Sequence, residues 1–347
     1  MKAIAVHGRK ATLVEDRSVP ALRDGFVLIK VAAVALNPTD WKHLEYNLVD
    51  DGCLIGCDFA GQVVEIGEGV RKDLSRGDRV AGVAHGGNCV EPQDGAFAEY
   101  IVAKGDLLIK IPGSMGFEEA ATLPLGVGTV MQGLYQKGLV MNLPDAPAKE
   151  KSFVLIYGGA TATGALGIQY AKLSGYTVLT TCSPRSSEYV KALGADEVFD
   201  YNDADVGLKI RGYTNDRLLL VWDIISTEAS AQICAKALSS GSKSCKYASF
   251  LGNCSPRDEV ESIGTNLYTI WGEDFRSGCT EWPAVREDFE WGTKFMELTE
   301  RLLAKGQLKP HKCTVREGGL NGVLQGLEDL KNNKVSAEKL VYQIVED

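Results

Sequence analysis

Phe153-Val154-Leu155-Ile156-Tyr157-Gly158-Gly159-Ala160-Thr161-Ala162-Thr163-Gly164 reads as a buried apolar strand that runs into a glycine-rich turn and opens a helix. That is the layout of a dinucleotide-binding βαβ unit. The backbone must approach a pyrophosphate closely, and the helix N-terminus offers it unpaired N–H groups. The six-residue glycine fingerprint is incomplete: Gly159 and Gly164 hold its first and last positions, but Thr161 stands at the middle one. A purely structural tight turn is the competing explanation. The next strand end, about twenty residues on, is where an NAD site places an acid for the ribose 2′-hydroxyl. Thr181-Cys182-Ser183-Pro184-Arg185-Ser186 carries no acid there, but hydroxyls and a guanidinium. These suit charge-assisted bonds to a 2′-phosphate, so the pattern predicts NADPH rather than NADH. Without the preceding turn, Arg185 would be an ordinary solvated charge.

Outward from this turn, strand and helix patterns alternate. Thr177–Thr181, Glu197–Asp200, Leu218–Asp223 and Tyr247–Leu251 read as further strands, with helices at Ala165–Ser174 and Ser187–Leu193. Such alternation predicts an α/β unit with a doubly wound parallel sheet covered on both faces. Upstream, Lys2–Val6, Phe26–Val34, Gln62–Ile66 and Arg79–Val83 read as strands of a small, irregular β-barrel. Between the two, Val127–Gly138 reads as a helix. Helices at Phe289–Lys305 and Leu320–Asn332 precede a last strand, Lys339–Ile344, expected to return to the first domain. The division expected is 1–124 with 268–347 as one domain and 125–267 as the nucleotide-binding one.

The chain has 347 residues, enough for two domains of about 150. Its net charge of −9 argues against nucleic acid or an anionic membrane surface as partner. The longest apolar-rich stretch, Phe26–Leu36, is interrupted by Lys30 and falls short of the ~20 residues that span a bilayer. The N-terminus shows no secretory signal, and nine cysteines without a framework suit reduced thiols. A soluble, cytoplasmic protein is expected.

Three stretches carry a resemblance to the medium-chain dehydrogenases/reductases over nearly the whole chain: Gly56-Cys57-Asp58-Phe59-Ala60-Gly61-Gln62-Val63-Val64-Glu65-Ile66-Gly67, Gly77-Asp78-Arg79-Val80 and Gly95-Ala96-Phe97-Ala98-Glu99-Tyr100. The resemblance implies a GroES-like β-barrel catalytic domain beside a Rossmann domain. Zinc-dependent members ligate the metal with a Cys in the loop after the second strand block and a His in a Gly-His-Glu motif. Here the loop reads Asn37-Pro38-Thr39-Asp40-Trp41-Lys42 and Cys57 takes the His position, so no metal is predicted. Without that Lewis acid, the zinc-free branch, similar to quinone oxidoreductases and enoyl reductases, reduces alkenes already activated by a carbonyl or thioester.

Within that branch the chain resembles the fungal trans-acting enoyl reductases that serve highly reducing polyketide synthases. The matching residues are Phe117–Thr129, the Thr161-Ala162-Thr163 variant of the nucleotide turn, Thr181–Pro184 and Val198–Tyr201. The resemblance implies NADPH reduction of a small-molecule acyl substrate, an α,β-unsaturated thioester held by the synthase's acyl carrier domain. It places the cofactor against Asp40, Trp41, Lys42 and His43; Ala160, Thr161, Ala162 and Thr163; Ser183, Pro184, Arg185 and Ser186; Tyr201; Leu251 and Gly252; and Val335 and Ser336. Substrate is expected against Leu125, Gly126, Val127, Gly128 and Thr129, and against Tyr268, Thr269, Ile270, Trp271 and Gly272. Lys42 and Thr129 are the catalytic candidates. Lys42 would hydrogen-bond a ribose hydroxyl or relay a proton from the loop. Thr129, taken as the start of its helix, would aim its hydroxyl and nearby N–H at the thioester oxygen. Solvated loop lysine and simple helix cap are the plain alternatives. No histidine reads as a convincing general base, and the proton donor is left unassigned. A stand-alone quinone or alkenal reductase and a non-catalytic NADPH-binding protein stay open, as do monomer and homodimer.

Overall fold

The computed structural model describes residues 1–241 and 244–344. They form two units, one of residues 1–125 with 268–344, the other of residues 126–241 with 244–267. The expected combination of a β-barrel and a doubly wound sheet is present.

In the first unit, Phe26–Ala35 is the central strand. Its alternation puts Val27, Ile29 and Val31 into the core, while Leu28 and Lys30 are half-exposed on the other face. It pairs antiparallel with Asp58–Ile66, Tyr100–Lys104 and the C-terminal strand Lys339–Gln343. Asp58–Ile66 continues through Arg79–Val83 to Ile109–Lys110, and Lys339–Gln343 pairs parallel with Cys313–Arg316. The last strand thus returns to the first domain. Phe59, Val63, Phe97, Ile101 and Leu340 fill the barrel.

The segment Asn37–Lys42, expected as a loop, is instead the start of a helix, Pro38–Glu45. Pro38 suits the first helical position, and Asp40 Oδ2 reaches back to accept the Asn37 N–H at 2.7 Å. The helix Gly319–Lys331 packs along it, with Lys331 Nζ 2.6 Å from a Glu45 carboxylate oxygen.

In the second unit, six parallel strands stand in the order Glu197–Asp200, Thr177–Cys182, Phe153–Tyr157, Leu220–Asp223, Lys246–Ser249, Glu261–Gly264. Numbered along the chain this is 3-2-1-4-5-6. The order reverses between Phe153–Tyr157 and Leu220–Asp223, which opens a crevice at their carboxyl ends. Trp222 is fully buried against Gly133 and Gly167, where a Cβ would strike its indole. The helix expected from Val127 begins earlier, at Pro124, and changes to a π-helix over Met131–Gln136. Its start is fixed from afar: the Asp58 carboxylate accepts the Leu125 N–H at 2.7 Å.

Candidate active site

The nucleotide turn is built by close approach. Gly158 has φ +91°, and a Cβ on Gly159 would overlap the Thr180 hydroxyl, itself committed to Ile156 O at 2.7 Å. A Cβ on Gly164 would overlap the Gly158 carbonyl. Thr161, in the middle fingerprint position, has φ −72° and needs no glycine. It caps the helix Ala162–Leu173: its hydroxyl accepts the Gly164 N–H at 3.0 Å and donates to Gly158 O at 2.8 Å.

The other expected cofactor residues of this unit gather at the same sheet edge. Ser183 to Ser186 form a turn after Thr177–Cys182, with Arg185 exposed and Ser186 buried. Tyr201, 42% exposed, follows Glu197–Asp200 directly. Leu251 and Gly252 lie in the bend beyond Lys246–Ser249, two residues past the strand they were expected to end. One acid on this edge, Asp223, is turned inward, and a second, Asp200, ends the outer strand level with Cys182. Asp223 accepts from Ile225 N, Ser226 N, Ser230 Oγ and Tyr247 Oη at 2.6–3.0 Å, a buried carboxylate satisfied by neutral donors. Thr129 is buried in the second turn of its helix rather than at the start. Its N–H belongs to the helical ladder and is not aimed outward as expected.

The first unit brings together residues that lie far apart in the sequence. Tyr268 is half-buried, its ring 5.1 Å from that of His43, 4.8 Å from His85 and 5.9 Å from Trp271. Its hydroxyl lies 2.9 Å from Thr39 Oγ1 and 3.5 Å from Cys57 Sγ, and Thr39 Oγ1 lies 3.2 Å from His43 Nε2. Burial pushes His43 down to about 4 and His85 down to about 3, so both rings are neutral near pH 7. Burial raises the Cys57 thiol and the Tyr268 phenol. Asp40 is buried with its pKa pushed up to about 7, chiefly by desolvation. Lys42 is half-buried on the same helix, 5.8 Å from the Trp41 ring centroid, and desolvation lowers its pKa. Thr269, Ile270 and Gly272, also expected against substrate, each have a partner within the first unit. Thr269 donates to Asp288, Ile270 abuts Gly292, and Gly272 packs on Phe289. Val335 packs on the barrel core and Ser336 is exposed beyond it.

The alcohol dehydrogenase GroES-like domain matches residues 23–113. The trans-enoyl reductase resD of Aspergillus sclerotiorum is 47% identical over 352 aligned residues, covering 96% of this chain and 97% of its own. The chain belongs to the trans-enoyl reductases. A second member, TOXD of Cochliobolus carbonum, is 49% identical over 80% of this chain and 92% of its own. Among solved structures, the quinone oxidoreductase of Coxiella burnetii superposes with a TM-score of 0.69 at 25% identity, over 99% of both chains. The CurK enoyl reductase shares the fold, with a TM-score of 0.75 at 20% identity, again over 99% of both chains.

In this trans-enoyl reductase the turn at Gly158–Gly164 fits a nicotinamide dinucleotide. Three glycines keep side chains out of the approach, and the helix that starts at Ala162 directs first-turn amides toward it. Among the described residues, no group of three or more His, Cys, Asp and Glu is placed to hold a metal ion, and no helix is long and apolar enough to cross a membrane. Sequence reasoning missed Thr39 and His85. Thr39 lies in the Asn37–Lys42 stretch beside the residues singled out there, His85 stands in no motif, and only the fold brings position 268 to positions 39, 57 and 85.

Proposed function

We propose that the protein reduces the C=C bond of an α,β-unsaturated polyketide thioester carried on the acyl carrier domain of a highly reducing polyketide synthase, with NADPH as reductant. Near-full-length identity of 47% to a trans-enoyl reductase carries this reading. The bound dinucleotide supplies a hydride to the alkene β-carbon. The glycine turn and Ala160–Thr163 hold its pyrophosphate. Ser183, Arg185 and Tyr201 meet the 2′-phosphate, and no acid stands among Ser183–Ser186 to repel it. Lys42, partly desolvated, hydrogen-bonds a ribose hydroxyl, and the Thr129 hydroxyl polarises the thioester carbonyl. A thioester conjugated to an alkene is electrophilic without a metal, so the protein's task is to stabilise the enolate and return a proton.

The test follows NADPH oxidation with a crotonyl thioester on the carrier domain and, separately, with a simple quinone. Turnover of the thioester is expected. Turnover of the quinone alone would favour a stand-alone quinone reductase, and NADPH binding with no turnover of any activated alkene would overturn the enzymatic reading.

A further inference from the structure

We propose that the Tyr268 hydroxyl delivers the proton that completes the reduction, with Thr39 and His43 as the residues that position it; this rests on the enoyl-reductase reading above. The ring of Tyr268 is clamped between His43, His85 and Trp271. Its oxygen is bridged on one side to Thr39 at 2.9 Å and approached by the Cys57 thiol at 3.5 Å. Thr39 continues the chain to His43 Nε2 at 3.2 Å, and the His43 side chain is half-buried. A tyrosine that only fills space needs no such series of polar partners. The series fixes the hydroxyl in direction.

The neighbouring acids are poor donors. His43 and His85 are neutral, and the Cys57 thiol and the Asp40 carboxyl are only 1% and 2% exposed, against a half-buried Tyr268. Burial keeps the Tyr268 O–H neutral at working pH, so it holds a proton to give. Hydride addition at the β-carbon leaves an electron pair in the enolate. That pair forms the α C–H bond with the Tyr268 proton, while the O–H pair remains on the phenolate oxygen. The phenolate then recovers a proton from water through the half-buried Thr39 hydroxyl. No further oxidant or reductant enters.

The experiment reduces an α-methyl-branched crotonyl thioester with NADPH in D₂O and reads both kcat and the configuration of the deuterated α-carbon. The parent is expected to give one configuration. Tyr268→Phe is expected to lower kcat by roughly 100-fold and to give a mixture of α-epimers, because water then protonates either face. Its NADPH affinity, read by fluorescence titration, stays unchanged. Thr39→Val, which keeps the ring in place, loses stereocontrol with a smaller drop in kcat, and Thr39→Ser restores it. The threonine pair carries the test should Tyr268→Phe fail to fold. A well-folded Tyr268→Phe with parental kcat and a single configuration overturns the proton assignment alone. A parent enzyme that oxidises no NADPH with the thioester overturns the reading beneath it.

Discussion

Asp40 is the residue whose setting departs furthest from its position on paper. It belongs to a polar run and is expected against cofactor, yet it is 2% exposed, close to Asp58 and capped onto Asn37. Folding raises its pKa from 3.8 to about 7. Between those values the folded chain holds a proton that the unfolded chain has lost, so this group makes stability fall as pH rises from about 4 to about 7, and level off above. Asp40→Asn removes the titration and keeps an oxygen for the Asn37 N–H. The variant should exceed the parent in stability by on the order of 2 kcal/mol at pH 8, the gap closing below about pH 4. Urea unfolding of both proteins across that range checks it. The difference isolates Asp40 from Asp94, whose carboxyl burial lifts to about 6. A gap independent of pH would refute the assignment. Arg185 is the opposite case, exposed and set on a turn at the carboxyl edge of the sheet. Arg185→Ala should weaken NADPH binding by roughly 10- to 100-fold, the worth of one charge-assisted bond, and leave NADH nearly untouched. Isothermal titration with both cofactors decides, and equal losses would remove the 2′-phosphate role.

Among the elements, legibility follows the reach of the interactions that set each boundary. Phe153–Tyr157, Glu197–Asp200 and Arg79–Val83 match their sequence patterns residue for residue, because β-branched and apolar runs bounded by Gly and Asp are local signals. The helix Pro38–Glu45 is hidden in the sequence. Thr39, Asp40, Lys42 and His43 break any apolar period, and its support comes from a cap and from a helix some 280 residues further on. The helix holding Thr129 starts earlier than its own residues suggest, since Asp58 fixes its first turn from 67 residues upstream. The glycine fingerprint is legible in place but not in detail, because Thr161 supplies a helix cap where a glycine is expected. This yields a contrast. Gly159→Ala, which forces a Cβ into the Thr180 hydroxyl, should cost about 1–3 kcal/mol and weaken dinucleotide binding. Thr161→Gly, which restores the full fingerprint, should cost only a few tenths of a kcal/mol. Thermal melts with and without NADPH compare them. A larger loss from Thr161→Gly than from Gly159→Ala would mean that the turn is held by the cap rather than by close approach.

At the scale of the whole molecule, strand Lys339–Gln343 returns to pair with Phe26–Ala35, and a buried ion pair anchors it there. Lys339 opens the C-terminal strand, and its ammonium pairs with the Asp58 carboxylate, the two side chains being 4% and 0% exposed. Asp58 also accepts from Asn37 Nδ2 at 3.0 Å and Leu125 N at 2.7 Å, while Lys339 donates to Thr122 O at 3.3 Å. Three separate segments of the first unit therefore converge on the Asp58 carboxylate, and the cost of its burial is offset only while all its donors are present. Removing one partner leaves a charge stranded in a dry interior, which costs about 3–5 kcal/mol, whereas removing both charges can be nearly neutral. Lys339→Met should therefore destabilise the protein by that amount, and Asp58→Asn should destabilise it as well by stranding the ammonium. The double variant should recover most of the loss, since an amide at position 58 still meets Asn37 and Leu125 and the introduced methionine fills the space of the lysine stem. Urea unfolding of the parent, the two single variants and the double variant closes the cycle. Strictly additive losses would show that the pair does not act as a unit, and that backbone pairing of Lys339–Gln343 with Phe26–Ala35 alone secures the C-terminus.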